Sequence, residues 1–231
     1  MNTTELISIL EEITSKVQKT KLLTQKKKDS YFKELQSLKE EYKTIEITEE
    51  LNKVYKSLVK KGKELQKEFK AKANPKELNG KIAYYIKYLK AAKGDFTGIT
   101  NYINKYFRIY LFTSILFLAL SPQYFGFILP AIFFVPIFLG IRGLKNRSQT
   151  GFLLSLAVIP VALMTSFVWI RYGIYAISNY QKAVADTISS SGVSPILAKM
   201  LVIVPPILSV ILTVLAIVQA YRAYKTKDLF V

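Results

Sequence analysis

Neither cysteine nor histidine occurs among the 231 residues, so disulfides, thiolate zinc sites, catalytic thiols, imidazole bases and histidine-ligated metals are all excluded. Acidic residues are missing where they would matter most. None lies between Asp95 and Asp186, and none between Asp186 and Asp228. An apolar segment without a carboxylate offers no group to bind a proton or a sodium ion, which argues against ion-coupled transport. Glycine and proline are absent from residues 1–61, which favours long helices there. The phosphate-binding GxxxxGK[ST], the dinucleotide GxGxxG and the nucleophile-elbow GxSxG patterns do not occur. The reading is therefore non-enzymatic, with no catalytic residue, cofactor or metal site assigned. The start, MNTTELISILEEITSK, has no basic stretch followed by an apolar one, so no cleaved signal peptide is expected and the first apolar segment is expected to direct insertion.

What is present is segregated. Half of the chain is hydrophobic, yet the formal charge is +17. Residues 1–107 hold 23 lysines against 14 acidic residues, whereas residues 108–231 hold ten basic and two acidic residues. The first part reads as a charged helix former and the second as apolar with a basic fringe.

Within residues 1–73, apolar side chains recur at heptad-like steps in three stretches: Leu6, Leu10, Ile13, Val17; Tyr31, Leu35, Leu38, Tyr42, Ile45; and Leu51, Tyr55, Leu58, Gly62, Leu65, Phe69. The phase breaks at Glu46–Thr48, where Thr48, Glu49 and Glu50 resemble a helix start. A cytoplasmic antiparallel helical hairpin or coiled coil is expected. The seam is weak at Thr20, Thr24 and Lys27, so the first two stretches are read as one helix or as two, with a turn at KKKDS, residues 26–30.

Residues 74–107 open with Asn74-Pro75, a cap followed by a first-turn proline, and Gly94 is the expected stop. At about 100° per residue, Ile82, Tyr85, Ile86 and Leu89 fall on one arc of roughly 120°. The stretch reads as a basic amphipathic elbow lying on an anionic inner leaflet, with Lys81, Tyr85, Lys87, Lys90, Lys105, Tyr106 and Arg108 as membrane-surface residues. Interleaved lysine and tyrosine also suits nucleic acid, but the patch abuts the apolar half, so lipid is preferred and nucleic acid disfavoured.

Residues 108–231 predict a four-helix transmembrane bundle, making the chain an all-α integral membrane protein. The expected spans are about 108–121, 124–143, 151–170 and 196–220. From Ile109 to Ile141 no residue is charged over 33 positions, with a turn at Ser121-Pro122-Gln123-Tyr124. Two full spans need about 20 residues each; either Tyr102–Arg108 extends the first, or the pair is a re-entrant hairpin. Arg142, Lys145, Arg147, Arg222, Lys225 and Lys227 fall on the side of the lysine-rich region, which predicts a cell-membrane protein with both termini inside. Asn146-Arg147-Ser148 and Asn2-Thr3-Thr4 match a glycosylation acceptor but are expected to be inert on that side. Trp169, Tyr172 and Tyr175 suit one aromatic belt, Tyr221 and Tyr224 the other. Residues 171–195 face outside, and their first part, YGIYAISNYQKAVADTI, is read as a surface helix.

Small residues predict the helix-packing seams: Ser209, Thr213, Ala216 and Ala220 in the fourth span and Ser155, Ala162 and Ser166 in the third. Prolines 130, 136, 160, 205 and 206 lie in or near three spans; Pro205-Pro206 is the candidate hinge, with tolerated kinks as the plainer reading. Function is read as a scaffold or accessory subunit that forms homo-oligomers or docks a protein partner through its N-terminal helices. A passive channel or permease-like subunit is the alternative.

Overall fold

The computed structural model describes residues 3–69 and 73–231; the acceptor at Asn2 lies outside them. The described residues are 86% helical and contain no strand. They divide into two compact units, Met1–Asn101 with Asp228–Val231, and Tyr102–Lys227.

The charged unit has four helices: α1 (Thr4–Lys19), α2 (Gln25–Lys43), α3 (Asn52–Glu68) and α4 (Pro75–Phe96). The first two stretches are separate helices. The break falls at Thr20, whose backbone is extended, and KKKDS lies inside α2. Thr48 has the backbone conformation of a cap, but its side chain makes no capping bond; a single 3-10 turn, Glu49–Leu51, precedes α3. Asn74 does cap α4, its side chain accepting from the Lys76 N–H at 2.9 Å. Gly94 does not end that helix. The stop is Gly98, with φ of +70°, where the Ile99 N–H returns to the Gly94 carbonyl at 2.9 Å, a closure that requires a left-handed residue.

The apolar steps read from the sequence are the buried faces. Leu6, Leu10, Ile13, Val17, Leu35, Leu38, Tyr42, Tyr55, Leu58 and Leu65 share one core with Ile82, Tyr85, Ile86 and Leu89. α1 packs on α2 and α3, and α4 packs on α3 and α2, so the expected hairpin is a four-helix arrangement closed by α4. Two polar bonds fix its register: Tyr42 donates to the Leu89 carbonyl at 2.8 Å and Tyr31 to Asn79 Oδ1 at 2.9 Å. Burial, and to a lesser degree Tyr85, raises the Tyr42 phenol above its ordinary range. Gly62 is where three helices meet, since a Cβ there would lie 2.5 Å from Tyr85 Oη and 2.6 Å from Ile9 Cγ2.

The apolar unit contains α5 (Asn101–Leu120), α6 (Pro122–Phe125), α7 (Ile128–Lys145), α8 (Gln149–Leu156), α9 (Val158–Ser178), α10 (Tyr180–Ser191) and α11 (Pro195–Thr226). Four helical stretches are long and apolar enough to cross a membrane: Asn101–Leu120, Ile128–Lys145, Gln149–Ser178 and Pro195–Leu229. The first does start at residues 101–108, and at 1.5 Å per residue it reaches about 30 Å, the thickness of a hydrocarbon core. α9 and α11 form the main helix pair. α7 turns tightly into α8 at Gly143 and Gly151, where a Cβ on either would strike the other's backbone. α11 continues through Pro205 and Pro206 as one helix.

We expect Gly62→Ala to destabilise the charged unit by about 1–3 kcal/mol, because both obstructing atoms are side-chain ends that can shift only partly. Hydrogen exchange on the intact protein in detergent would read this as faster exchange across α1, α3 and α4, with α7–α11 unchanged.

Candidate functional site

The residues assigned to the membrane surface separate into two groups. Tyr85 is 2% exposed and its hydroxyl donates to the Leu58 carbonyl at 3.3 Å. Its phenol is raised above the ordinary range by burial. The arc of Ile82, Tyr85, Ile86 and Leu89 therefore meets protein, which corrects the expectation that it meets lipid. The lysines beside it are engaged as well: Lys81 pairs with Glu77 at 2.7 Å and with Glu68 of α3 at 3.0 Å, and Lys90 with Glu34 of α2 at 2.7 Å. Lys87 is exposed. The remaining tyrosines of the stretch, Tyr84 and Tyr88, stack at 6.2 Å, with Lys61 Nζ 5.1 and 4.8 Å from their ring centroids.

The second group belongs to the apolar unit. Tyr106 is fully buried, not at a surface, and its hydroxyl shares a 2.6 Å hydrogen bond with Ser155 Oγ. Ser155 also donates to the Phe152 carbonyl at 2.6 Å, and Gln219 Nε2 donates to the Ser155 carbonyl at 2.9 Å. Tyr110 adds a bond to the Ile137 carbonyl at 2.9 Å, its hydroxyl filling the space a Cβ on Gly140 would take. Side chains from α5, α8 and α11 thus converge on one buried polar node. Lys105 and Arg108 are exposed and lie on α5 near this end. Around it, Lys105 Nζ sits 5.4 Å from the Tyr102 ring, Lys145 5.6 Å from Phe107, Lys225 4.9 Å from Tyr221 and Lys227 4.5 Å from Tyr224. Arg222 donates to the Lys105 carbonyl at 2.9 Å.

In the third span, Ser155, Ala162 and Ser166 are buried. The expected stripe of the fourth is shifted. Ser209 and Ala216 are buried and Thr213 half-buried, but Ala220 is exposed, and the buried face continues through Leu212, Gln219 and Ala223. Leu212 and Gln219 are larger than the residues of the expected stripe, so smallness alone misplaced it. At the candidate hinge, Pro206 is seated on α9: a Cβ on Gly173 would lie 2.8 Å from Pro206 Cβ, and Ser209 Oγ donates to the Pro206 carbonyl at 2.6 Å. Pro206 is thus packed against the neighbouring helix.

At the opposite end of the bundle from the polar node, sequence reading missed a cavity of about 320 Å³, lined by Gln123, Tyr124, Trp169, Tyr172, Tyr175 and Asp186 among others. Trp169 is held rigidly, its Nε1–H donating to the Leu120 carbonyl at 2.8 Å. Tyr124 meets it at 4.8 Å and 79°, and Tyr172 at 5.8 Å and 84°. Burial, then the nearby Tyr172, pushes the Tyr124 phenol up to about 12, so Tyr124 stays neutral at physiological pH. Two signals were available in the sequence: the spacing Trp169, Tyr172, Tyr175 on one helix face, and Asp186 as a lone acid.

No three histidine, cysteine, aspartate or glutamate side chains cluster as metal ligands among the described residues. Comparison with protein-family models, curated proteins and solved structures finds no match.

Two expectations follow. Lys81 hydrogen-bonds hold the Glu77 carboxyl below its ordinary 4.5, and Glu77 first, then Glu68, raise Lys81 above its ordinary 10.5. The carboxyl contribution is complete above 4.5 and lost as pH falls through its lowered value, and the lysine contribution is complete below 10.5 and lost as pH rises through its raised one. Exchange protection of the first turn of α4 should therefore be level between those values and fall in acid, and Glu77→Gln should remove most of the acid limb. Second, Tyr106→Phe should cost about 1 kcal/mol, since Ser155 keeps its carbonyl partner, whereas Tyr106→Ala should cost about 3–5 kcal/mol. Thermal unfolding in detergent separates the two, and equal, negligible effects would place Tyr106 outside the core.

Proposed function

We propose that this chain is a non-enzymatic, multi-pass protein of the cell membrane that acts as a scaffold or accessory subunit. The apolar unit anchors it, and the charged unit presents a helical surface to other copies or to a protein partner. One observation carries this reading: the groups best suited to motion or transport in the apolar unit are committed to packing. Tyr106, Tyr110 and Ser155 bond across helices, Pro206 rests on Gly173, and the acid Asp186 lies on α10, outside the four candidate spans. A bundle fixed in this way supports an anchor more than a gated pathway.

The lysine–aromatic pairs at residues 102–108, 145 and 221–227 support an anionic inner leaflet as lipid partner, because each ammonium group lies over a ring that suits the interfacial layer. The membrane contact expected of residues 74–107 is thereby narrowed to this set, with Lys105 and Arg108 retained. Arg142, Arg147 and Arg222 add charge at the same end of the helices, and this supports both termini inside. Nucleic acid stays disfavoured, since Lys61 covers the faces of Tyr84 and Tyr88 that a base would stack on.

Native mass spectrometry of the protein released gently from its own membranes tests the proposal. A stoichiometric partner or a defined homo-oligomer is the expected result. A monomer that conducts solute in proteoliposomes would overturn it in favour of a channel.

A further inference from the structure

We propose that the cavity beside Trp169 binds a small methylated or quaternary ammonium ion, either free in solution or as the headgroup of a lipid. The proposal goes beyond the scaffold reading and rests on a separate part of the molecule. Its basis is the conjunction of aromatic walls, one carboxylate and a rigid central ring in a single half-open cavity.

Tyr124, Trp169, Tyr172 and Tyr175 line the cavity together with Asp186. Ring faces carry a negative quadrupole and attract cations lying within about 6 Å of the centroid, with tryptophan the strongest of the three aromatic types. Tyr124 and Tyr172 stand nearly perpendicular to Trp169, at 79° and 84°, so the rings form walls and not a flat stack. Such walls suit a compact, rounded cation. The bond from Trp169 Nε1 to Leu120 fixes the central wall before any ligand arrives, which lowers the ordering cost of binding.

The carboxylate sets the charge. Asp186 is the sole acidic residue between Asp95 and Asp228 in a chain of formal charge +17. Lys182 precedes it by one helical turn, but neither takes part in an ion pair among the described residues. Asp186 is exposed at the rim, where it can pair with a ligand while the rings take the ligand's methyl groups. A hard metal ion is a poor fit, since it favours several charged oxygen ligands at short range, and the site offers one carboxylate, with the neutral oxygens of Gln123, Thr187, Ser190 and Ser191, beside the rings. A primary ammonium has three N–H donors and would rely on the Gln123, Thr187, Ser190 and Ser191 oxygens more than on the ring faces. A methylated ammonium has few or no such donors and is weakly hydrated, so the walls satisfy it. The volume, about 320 Å³, is at the small end of the range for ligand cavities, about 300–1,000 Å³.

Trp169 is the single tryptophan of the chain, so intrinsic fluorescence reports on this cavity directly. The full-length protein, held in a sugar-headed detergent, would be titrated with tetramethylammonium chloride against sodium chloride of equal ionic strength. We expect a saturable fluorescence change specific to the ammonium salt. Asp186→Asn and, separately, Tyr124→Ala should each weaken the apparent affinity roughly fivefold or more. Asp186 is exposed, so its conservative variant tests binding without removing packing. Repeating the titration in lipid discs distinguishes the sources. If a choline headgroup is the occupant, discs containing phosphatidylcholine should show the shifted signal from the start and no further response, while discs of phosphatidylglycerol alone should respond. A free solute predicts the same response in both. No response beyond sodium chloride, or a response unchanged in both variants, would overturn the proposal.

Discussion

Four side chains on one arc of α4, Ile82, Tyr85, Ile86 and Leu89, complete the core of the charged unit, and the rest of that unit depends on their burial. Each contributes on the order of 1.5–3 kcal/mol when taken from water. Without them, the apolar stripes of α2 and α3 would each lack a neighbour, because α4 packs on both. The polar bonds then decide register more than stability. The Tyr42 hydroxyl reaches Leu89 on α4, Tyr85 reaches Leu58 on α3, and a slip by one turn would leave each phenol buried without a partner, at a cost of about 1–3 kcal/mol. Gly62 is the steric counterpart of these bonds, since the Tyr85 hydroxyl occupies the space that any other side chain would need.

The apolar unit obeys a different constraint. Its helices satisfy their own backbones, and side-chain polar groups are left to find partners across helices. They do so at two levels: Tyr106, Ser155 and Gln219 near one end, and Trp169 with the Leu120 carbonyl near the other. The helices approach closely where a side chain is absent, as at Gly140 and at the pairing of Gly173 with Pro206. α5 contributes chiefly through long side chains, Tyr106, Tyr110 and Phe117, all fully buried. These three rings of α5 are thus structural, whereas Tyr102, Tyr221 and Tyr224 are exposed and carry lysine ammonium groups over their faces.

Much of this architecture was legible in the sequence. The heptad-like steps named the buried faces of α1, α2 and α3, the uncharged runs located the four apolar helices, and Asn74-Pro75 located the start of α4. The errors have physical causes. An amphipathic arc has the same pattern whether it meets lipid or protein, so Ile82 through Leu89 could not reveal their partner. Gly94 resembled a helix end because glycine often is one, yet it stays inside α4 where the Leu229 side chain fills the place of its missing Cβ. The fourth-span stripe was drawn from small residues alone, and Gln219, buried through its bond to Ser155, displaced Ala220. The cavity at Trp169 escaped because its walls come from α6, α9 and α10, and only the folded chain brings Tyr124 and Asp186 to one place.

Leu229 and Phe230 are buried in the charged unit although they follow the last apolar helix in the chain. That unit is therefore discontinuous in sequence, its first piece ending before α5 and its last arriving after α11. During synthesis the first piece emerges long before the second, so the groove at Gly94 stays open until every apolar helix has been made. Filling it requires Leu229, so the charged unit closes only after the apolar helices that separate its two pieces have been made.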